Sequence, residues 1–137
     1  MSGESQHILC IDDDDDTLDL TKVSLELTGD FRVTCRSSAA DIVSLVAREK
    51  PGLVLLDVMM PDVDGLTALK MLQESMAREG AGVSPVPVIF VTAHAKPQQV
   101  REYLDRGAAG VIAKPFDPRK ISAVVADIWH HASKEQS

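Results

Sequence analysis

Apolar runs of strand length recur five times along this 137-residue chain, and longer segments with apolar residues at helical spacing lie between them. Runs such as LVLL and VIFV are apolar on both faces, as in the strands of a parallel sheet that helices cover on either side. The alternation predicts an α/β domain with a doubly wound parallel sheet and five helices. The predicted strands are His7–Ile11, Phe31–Thr34, Leu53–Leu56, Val86–Val91 and Gly110–Ala113.

The predicted helices have apolar residues at helical spacing. The fourth, short helix is predicted over Pro97–Leu104. The apolar residues of the other helices are Leu18, Val23, Leu25 and Leu27 in the first, Ile42, Leu45 and Val46 in the second, Leu66, Leu69, Leu72 and Met76 in the third, and Ile121, Val124, Val125, Ile128 and Trp129 in the fifth. We expect one domain over residues 7–132, a disordered N-terminus at 1–6 and a frayed tail at 133–137. The loop AREGAGVSPVPV is expected to be the most flexible internal stretch.

The charge and hydropathy of the chain disfavour two kinds of partner. A net charge of −7 without clustered Lys and Arg argues against direct contact with nucleic acid. No apolar run has the length of a membrane span, and the N-terminus MSGESQH lacks the features of a secretory signal, so we expect a cytoplasmic protein without membrane contact. Cys10 and Cys35 have neither metal-ligand spacing nor a secreted context, and we expect both to be reduced and structural.

Polar side chains follow four of the five predicted strands. The first strand ends at Asp12 and Asp13, the third at Asp57, the fourth at Thr92 and the fifth at Lys114. Parallel strands of a doubly wound sheet end at one edge, and ligands bind in the crevice outside those ends. Each residue alone is typical of caps, turns or solvated surfaces, but their joint placement predicts a binding site.

Three carboxylates in one crevice repel one another, and a divalent cation is the simplest way to neutralise them. Magnesium prefers oxygen ligands and leaves coordination positions for water and a phosphate oxygen. Lys114 and Thr92 then suit phosphoryl oxygens, one by charge and the other by hydrogen bond. Asp57 becomes a candidate nucleophile, because an ionised carboxylate can accept a phosphoryl group as an acyl phosphate.

The chain resembles the receiver domains of two-component response regulators over Ile8–Ala132, in the segments ILCIDD, LVLLDVMMPDVDG, VIFVTA and GAAGVIAKPF. The resemblance implies a flavodoxin-like fold with strand order 2-1-3-4-5. It implies a signalling phosphoacceptor that catalyses only its own phosphorylation and dephosphorylation, with Mg²⁺, or Mn²⁺ in its place, as cofactor. The implied partners are a sensor histidine kinase or histidine phosphotransfer protein and a downstream protein target.

The resemblance also implies how the acidic residues divide their roles. Asp57 resembles the phosphoacceptor, Asp13 the direct magnesium ligand and Asp12 its neighbour in the acidic pocket. The backbone carbonyl of Met59 would complete the protein's ligands, together with Asp57. Asp14–Asp16 match no position that the family requires, and we expect them to begin the first helix, where negative charge is favourable.

The switch positions follow from the same resemblance. Thr92 and Ala93 match the phosphoryl-binding switch segment, and Lys114 matches the lysine of the site. Pro115 stands where the family often has a cis peptide bond. Val111 departs from the family, which usually has Phe or Tyr three residues before the lysine, and a stiff β-branched valine cannot swing a large group between solvent and core.

Met59 and His94 occupy positions at which family members differ in the lifetime of the phosphorylated state. The thioether of Met59 cannot orient a water molecule as an amide or carboxylate would, so we expect slow loss of phosphate. The chain is compatible with three outputs: binding by the domain alone, transfer within a relay, or membership of a larger regulator or hybrid kinase.

Two alternative functions stay open at this point. Asp13–Thr17 also forms the D-x-D-x-T pattern of haloacid-dehalogenase-like phosphatases, with Asp13 as nucleophile of a magnesium-dependent hydrolysis. That family needs a further acidic motif after the lysine, and only Asp117 and Asp127 follow Lys114, without a suitable strand. The second alternative is a receiver-like interaction module that accepts no phosphate.

Overall fold

A five-stranded parallel sheet forms the centre of the computed structural model, which describes residues 6–78 and 85–136. Its strands are β1 (Gln6–Ile11), β2 (Phe31–Arg36), β3 (Leu53–Leu56), β4 (Val88–Thr92) and β5 (Gly110–Ala113). They are hydrogen-bonded in the order β2-β1-β3-β4-β5, with every pair parallel. The predicted flavodoxin-like fold and strand order are confirmed.

Within the described ranges, five helices cover the sheet: α1 (Asp15–Glu26), α2 (Ile42–Glu49), α3 (Gly65–Ala77), α4 (Pro97–Asp105) and α5 (Ile121–Gln136). Residues of α1 and α5 share one hydrophobic core with the inward side chains of one sheet face. Residues of α2, α3 and α4 pack in a second core against the other face. Both faces are therefore covered, as the apolar character of LVLL and VIFV required.

The buried face of α1 differs from the one that its apolar residues indicated. Leu18 and Leu25 are buried, but Val23 and Leu27 are 59% and 78% exposed. Because an α-helix turns about 100° per residue, Val23 and Leu27 lie on the side opposite Leu18. Thr21 and Ser24 are buried instead, and the Thr21 hydroxyl donates to the Thr17 carbonyl at 2.7 Å.

Strand β4 begins at Val88, two residues later than predicted. Pro87 has no N–H to give to the sheet, although its carbonyl accepts from the Val54 N–H at 3.0 Å. Val86 is still buried in the core. The strand includes Thr92, and this places the threonine side chain at the carboxyl edge of the sheet.

Helix α5 runs to Gln136, so residues 133–136 of the expected tail are helical. Residues 1–5, 79–84 and 137 lie outside the described residues, and they include most of the expected N-terminal segment and the centre of the loop AREGAGVSPVPV. Across residues 6–78 and 85–136, no helix combines the length and apolar character that crossing a membrane requires.

Candidate functional site

Strand β1 and the central strand β3 end side by side, and each is followed by an acidic residue. Asp12 follows β1 and Asp57 follows β3, at the point where the strand order reverses. The Asp57 N–H donates to the Ile11 carbonyl at 3.0 Å, and the Asp12 N–H donates to the Arg36 carbonyl at 3.1 Å. Only 2% of Asp12 and 7% of Asp57 are exposed. The sheet therefore holds two carboxyl groups in the crevice where doubly wound folds bind ligands.

Asp13 completes a group of three carboxyl groups. Asp12, Asp13 and Asp57 each offer an oxygen that lies within 4.8 Å of the other two, and Asp13 is exposed. Burial raises the pKa of Asp12 above its ordinary value, and the charge of Asp57 adds to this effect, whereas Lys114 and the Asp14 N–H oppose it. Such oxygen ligands suit a hard divalent cation, which also relieves the repulsion among them.

Lys114 reaches into the same crevice from the end of β5. Its Nζ lies 2.5 Å from Asp12 Oδ2 and 3.2 Å from Asp57 Oδ2. Burial lowers the pKa of Lys114, but the Asp12 and Asp57 carboxylates outweigh it and raise that pKa above its ordinary value. The ammonium therefore stays charged beside both acids. The peptide bond from Lys114 to Pro115, the candidate that the resemblance implied, is cis.

Thr92 is fully buried at the end of β4, while the two residues after it are exposed. Its hydroxyl accepts a hydrogen bond from the His94 N–H at 3.1 Å, and its carbonyl accepts from the Lys114 N–H at 2.9 Å. The backbone of Ala93 thus lies in a short turn between Thr92 and His94. On the neighbouring strand end, the Met59 N–H donates to Asp57 Oδ1 at 3.4 Å, and the Met59 side chain is exposed.

Gly65, the first residue of α3, makes a close approach to the site. Its N–H donates to the Val58 carbonyl at 2.7 Å. A Cβ at this position would clash with the backbone oxygen of Asp57 and lie 2.8 Å from the Val58 Cα. The glycine of the segment LVLLDVMMPDVDG is therefore required to let α3 support the backbone of Asp57.

The match to known proteins agrees with this geometry. A sequence model described as "Response regulator receiver domain" matches residues 8–126. The chain belongs to this receiver domain family.

Three relatives illustrate how far the similarity of this receiver domain extends. Response regulator Rre1 of Synechocystis sp. is 31% identical over 126 residues, which are 92% of this chain and 52% of Rre1. An uncharacterized 14.6 kDa protein in the sodA1 3′ region of Leptolyngbya boryana is 35% identical over 118 residues, 86% of each chain. The solved receiver domain protein (CheY-like) from Methanospirillum hungatei superposes with a TM-score of 0.77 at 29% identity, covering 96% of this chain and 99% of that one. This chain spans about half the length of Rre1 and of several other curated relatives.

Tyr103 is a residue near the site that the sequence did not single out. It is the chain's only tyrosine, and it is buried on α4. Its hydroxyl donates to the His94 carbonyl at 2.8 Å, and its ring meets Phe90 edge-on with centroids 5.3 Å apart. Val111 packs partly buried against the same core. In this receiver domain the aromatic group that contacts the segment after Thr92 therefore comes from α4 and not from β5.

The remaining aspartates of the acidic run begin α1. Asp14 is the N-cap, with Oδ1 accepting from the Asp16 N–H at 3.1 Å and Oδ2 accepting from the Thr17 hydroxyl at 2.9 Å. The Thr17 hydroxyl and then the Asp16 N–H lower the pKa of Asp14. The threonine of the D-x-D-x-T pattern is thus part of a helix cap. With the family match, this disfavours the phosphatase alternative that uses Asp13.

Proposed function

We propose that this receiver domain takes a phosphoryl group onto Asp57 from a phosphohistidine of a sensor histidine kinase or histidine phosphotransfer protein. The phosphorylated form then changes its affinity for a downstream protein target. The observation that carries the proposal is the position of Asp57, which is buried beside Lys114 within a group of three carboxyl groups. Phosphoryl transfer needs positive charge at the phosphoryl oxygens, and Lys114 together with a cation held by the three carboxyl groups would supply it there.

The donor set at this edge of the sheet fits Mg²⁺. Asp12, Asp13 and Asp57 offer carboxylate oxygens, and Met59 would add its backbone carbonyl. When bound, Mg²⁺ would neutralise the carboxylates and draw charge from the phosphoryl oxygens. Mn²⁺ accepts the same oxygen ligands.

The chain's own residues supply the nucleophile and the positioning of the phosphoryl group. A carboxylate oxygen of Asp57 forms the bond to phosphorus while the bond from phosphorus to the imidazole nitrogen breaks, and the departing imidazole takes up a proton. Lys114, held charged by Asp12 and Asp57, pairs with a phosphoryl oxygen. Thr92 donates a hydrogen bond from its hydroxyl to another phosphoryl oxygen. The hydroxyl oxygen now accepts from the His94 N–H, and a rotation that turns the hydroxyl towards the phosphoryl group would break that bond.

An apolar stripe on α1 supports a protein as the phosphodonor. Leu20, Val23 and Leu27 are 44%, 59% and 78% exposed and follow each other at helical spacing. Leu20 also lines a cavity of about 250 Å³ that reaches Lys114 and Phe116 at the edge of the site. A histidine-bearing helical partner can cover this stripe while its histidine enters the crevice.

The variant Val23→Glu tests this docking role of the stripe. It should slow phosphoryl transfer from such a partner and leave labelling by a small phosphodonor unchanged. Equal slowing with both donors would contradict the role of the stripe.

The test of the phosphoacceptor is labelling with acetyl phosphate and Mg²⁺, followed by intact-mass measurement. The parent should gain one phosphoryl group that mild alkali removes. Asp57→Asn should gain none, because an amide is not a nucleophile of this kind. Asp62→Asn changes an exposed acid a few residues further on and should label like the parent.

Each failure of this experiment points to a different function. An unlabelled parent would indicate an interaction module, and turnover of small phosphate esters that depends on Asp13 would indicate the phosphatase. Labelling of Asp57→Asn at the parental rate would show that another residue is the acceptor.

A further inference from the structure

The two cysteines are direct neighbours in the sheet. Cys10 of β1 pairs in register with Cys35 of β2, although the two are distant in the chain. Both side chains point to the face that α1 and α5 cover, where Cys10 belongs to the core and Cys35 packs against it. Both are free thiols. Adjacent strands lie about 4.8 Å apart, and this falls inside the range of Cα separations, roughly 4.4–6.8 Å, that a disulfide can join.

We propose that Cys10 and Cys35 form a reversible dithiol oxidation site, at which hydrogen peroxide converts the pair into an intramolecular disulfide. This inference goes beyond the proposed phosphoacceptor function and does not depend on it.

The two thiols differ in a way that suits such a pair. Cys10 is buried, whereas Cys35 is partly exposed at the edge strand of the sheet, so peroxide can reach Cys35. The Cys10 thiol beside it, acting as a hydrogen-bond donor, lowers the pKa of Cys35 to about 7, with a smaller contribution from Lys22. A thiolate, not a thiol, is the nucleophile towards peroxide. Cys35 therefore reacts first, and Cys10 resolves the product.

The chemistry balances in two steps. The Cys35 thiolate attacks one peroxide oxygen, the oxygen–oxygen bond breaks, and the products are a sulfenic acid on Cys35 and, after proton uptake, water. The Cys10 sulfur then attacks the Cys35 sulfur, the sulfur–oxygen bond breaks, and a second water leaves with the Cys10 proton. Each sulfur is oxidised by one electron, and the two peroxide oxygens are each reduced by one.

The geometry makes the disulfide easy to reduce. Side chains paired across parallel strands point the same way, so their Cβ atoms must approach by roughly 1 Å to reach the mean disulfide spacing. Strand β2 has a neighbour on one side only and can move towards β1. Oxidation also removes the S–H that Cys35 donates to the Leu18 carbonyl on α1, where the Sγ to oxygen distance is 3.8 Å. Strained disulfides of this kind are labile.

The test is treatment of the full chain with hydrogen peroxide, followed by alkylation after denaturation and intact-mass measurement. We expect a loss of the mass of two hydrogens, no alkylation, and one linked peptide containing Cys10 and Cys35. Dithiothreitol should restore two alkylable thiols. Two alkyl groups after peroxide treatment, disulfide-linked dimers, or extra oxygen retained on Cys35 with Cys10 still alkylable would each overturn the proposal.

Two variants separate the roles of the sulfurs. Cys10→Ala should hold a sulfenic acid on Cys35 that dimedone traps, and Cys35→Ala should leave Cys10 oxidised at least about tenfold more slowly than Cys35 is in the parent. Faster oxidation of Cys10 than of Cys35 would reverse the assignment and overturn it. If a variant fails to fold by circular dichroism, the parental mass measurement decides alone.

Discussion

Different interactions hold the two halves of the site in place. In the acidic half, formed by Asp12, Asp57 and Lys114, ion pairs of 2.5 and 3.2 Å join the ends of three strands. In the switch half, formed by Thr92, His94 and Tyr103, the contacts are neutral. The His94 N–H donates to the Thr92 hydroxyl, the Tyr103 hydroxyl donates to the His94 carbonyl, and the Tyr103 ring packs edge-on against Phe90 of β4. Charged pairs anchored on a sheet resist displacement more than neutral hydrogen bonds to a loop do. We therefore expect the acidic half to keep its geometry and the switch half to be displaced more readily.

Removing the Lys114 ammonium group from the acidic half should have the largest effect on the free energy of unfolding. Lys114→Met leaves the buried carboxylates of Asp12 and Asp57 uncompensated, and we expect the free energy of unfolding to fall by about 3 kcal/mol. Urea denaturation in the presence of a chelator measures this, and saturating Mg²⁺ should recover part of the loss. Lys120→Met, at an exposed lysine, should stay within about 0.5 kcal/mol of the parent. Equal effects of the two variants would show that the ion pairs do not hold the acidic half.

Gly65 lies between the acidic half and the ring that supports Tyr103. An added Cβ would clash with the Asp57 backbone and come 3.0 Å from Phe90, against which Tyr103 packs. We expect Gly65→Ala to lower the free energy of unfolding by about 1–3 kcal/mol, despite the better helix propensity of alanine. Gly29→Ala is the matched control, since Gly29 has φ of +79° but no atom near its Cβ position. It should lose only the backbone strain, about 1 kcal/mol. A smaller loss at Gly65 than at Gly29 would mean that α3 moves away freely.

The pH dependence of stability should reveal the repulsion in the acidic half. The pKa of Asp12 is raised above 3.8 in the folded protein, chiefly by burial, so the folded state binds the proton more tightly than the unfolded state does. The contribution of Asp12 to the free energy of unfolding is present below pH 3.8, and it is lost as the pH rises through the pKa that Asp12 has in the folded protein. With a chelator present, Asp12→Asn should therefore gain stability relative to the parent between acidic and neutral pH. Urea denaturation at acidic and at neutral pH measures this, and a difference between Asp12→Asn and the parent that does not grow with pH would contradict the repulsion.

The sequence predicted the sheet and the acidic half because both depend on local signals. LVLL and VIFV must be covered on both faces wherever they occur, and an aspartate or lysine directly after such a strand has to emerge at the sheet edge. The structure does bring Asp12, Asp13, Asp57 and Lys114 together.

The features that were not predicted depend on contacts between residues distant in the chain, or on residues whose type does not indicate their burial. The contact of Cys10 with Cys35 exists only once β1 and β2 pair in register, so neither cysteine carries a signal in its own segment. The burial of Thr21 and Ser24 in α1 is hidden because both are polar, while Val23 and Leu27 look like core residues. Tyr103 resembles any apolar residue of an amphipathic helix until its hydroxyl is seen to reach the His94 carbonyl.

The smallest expected effect belongs to the switch half. Tyr103→Phe keeps the ring on Phe90 and removes only the bond to the His94 carbonyl, so we expect a loss of about 1 kcal/mol in the free energy of unfolding. A magnesium and beryllofluoride mimic of phosphorylation should shift the amide resonances of residues 93–96 strongly in the parent, because drawing in the Thr92 hydroxyl releases the His94 N–H and strains the Tyr103 contact. The outer face of α5 should shift weakly, since valine at 111 has no ring to turn inward. Val111→Tyr is the comparison that adds such a ring. If Tyr103→Phe leaves the amide shifts at residues 93–96 unchanged, the response does not pass through Tyr103. If the parent also shifts residues 121–128 as much as Val111→Tyr does, valine at 111 does not limit the response, and the switch half is displaced no more readily than the acidic half.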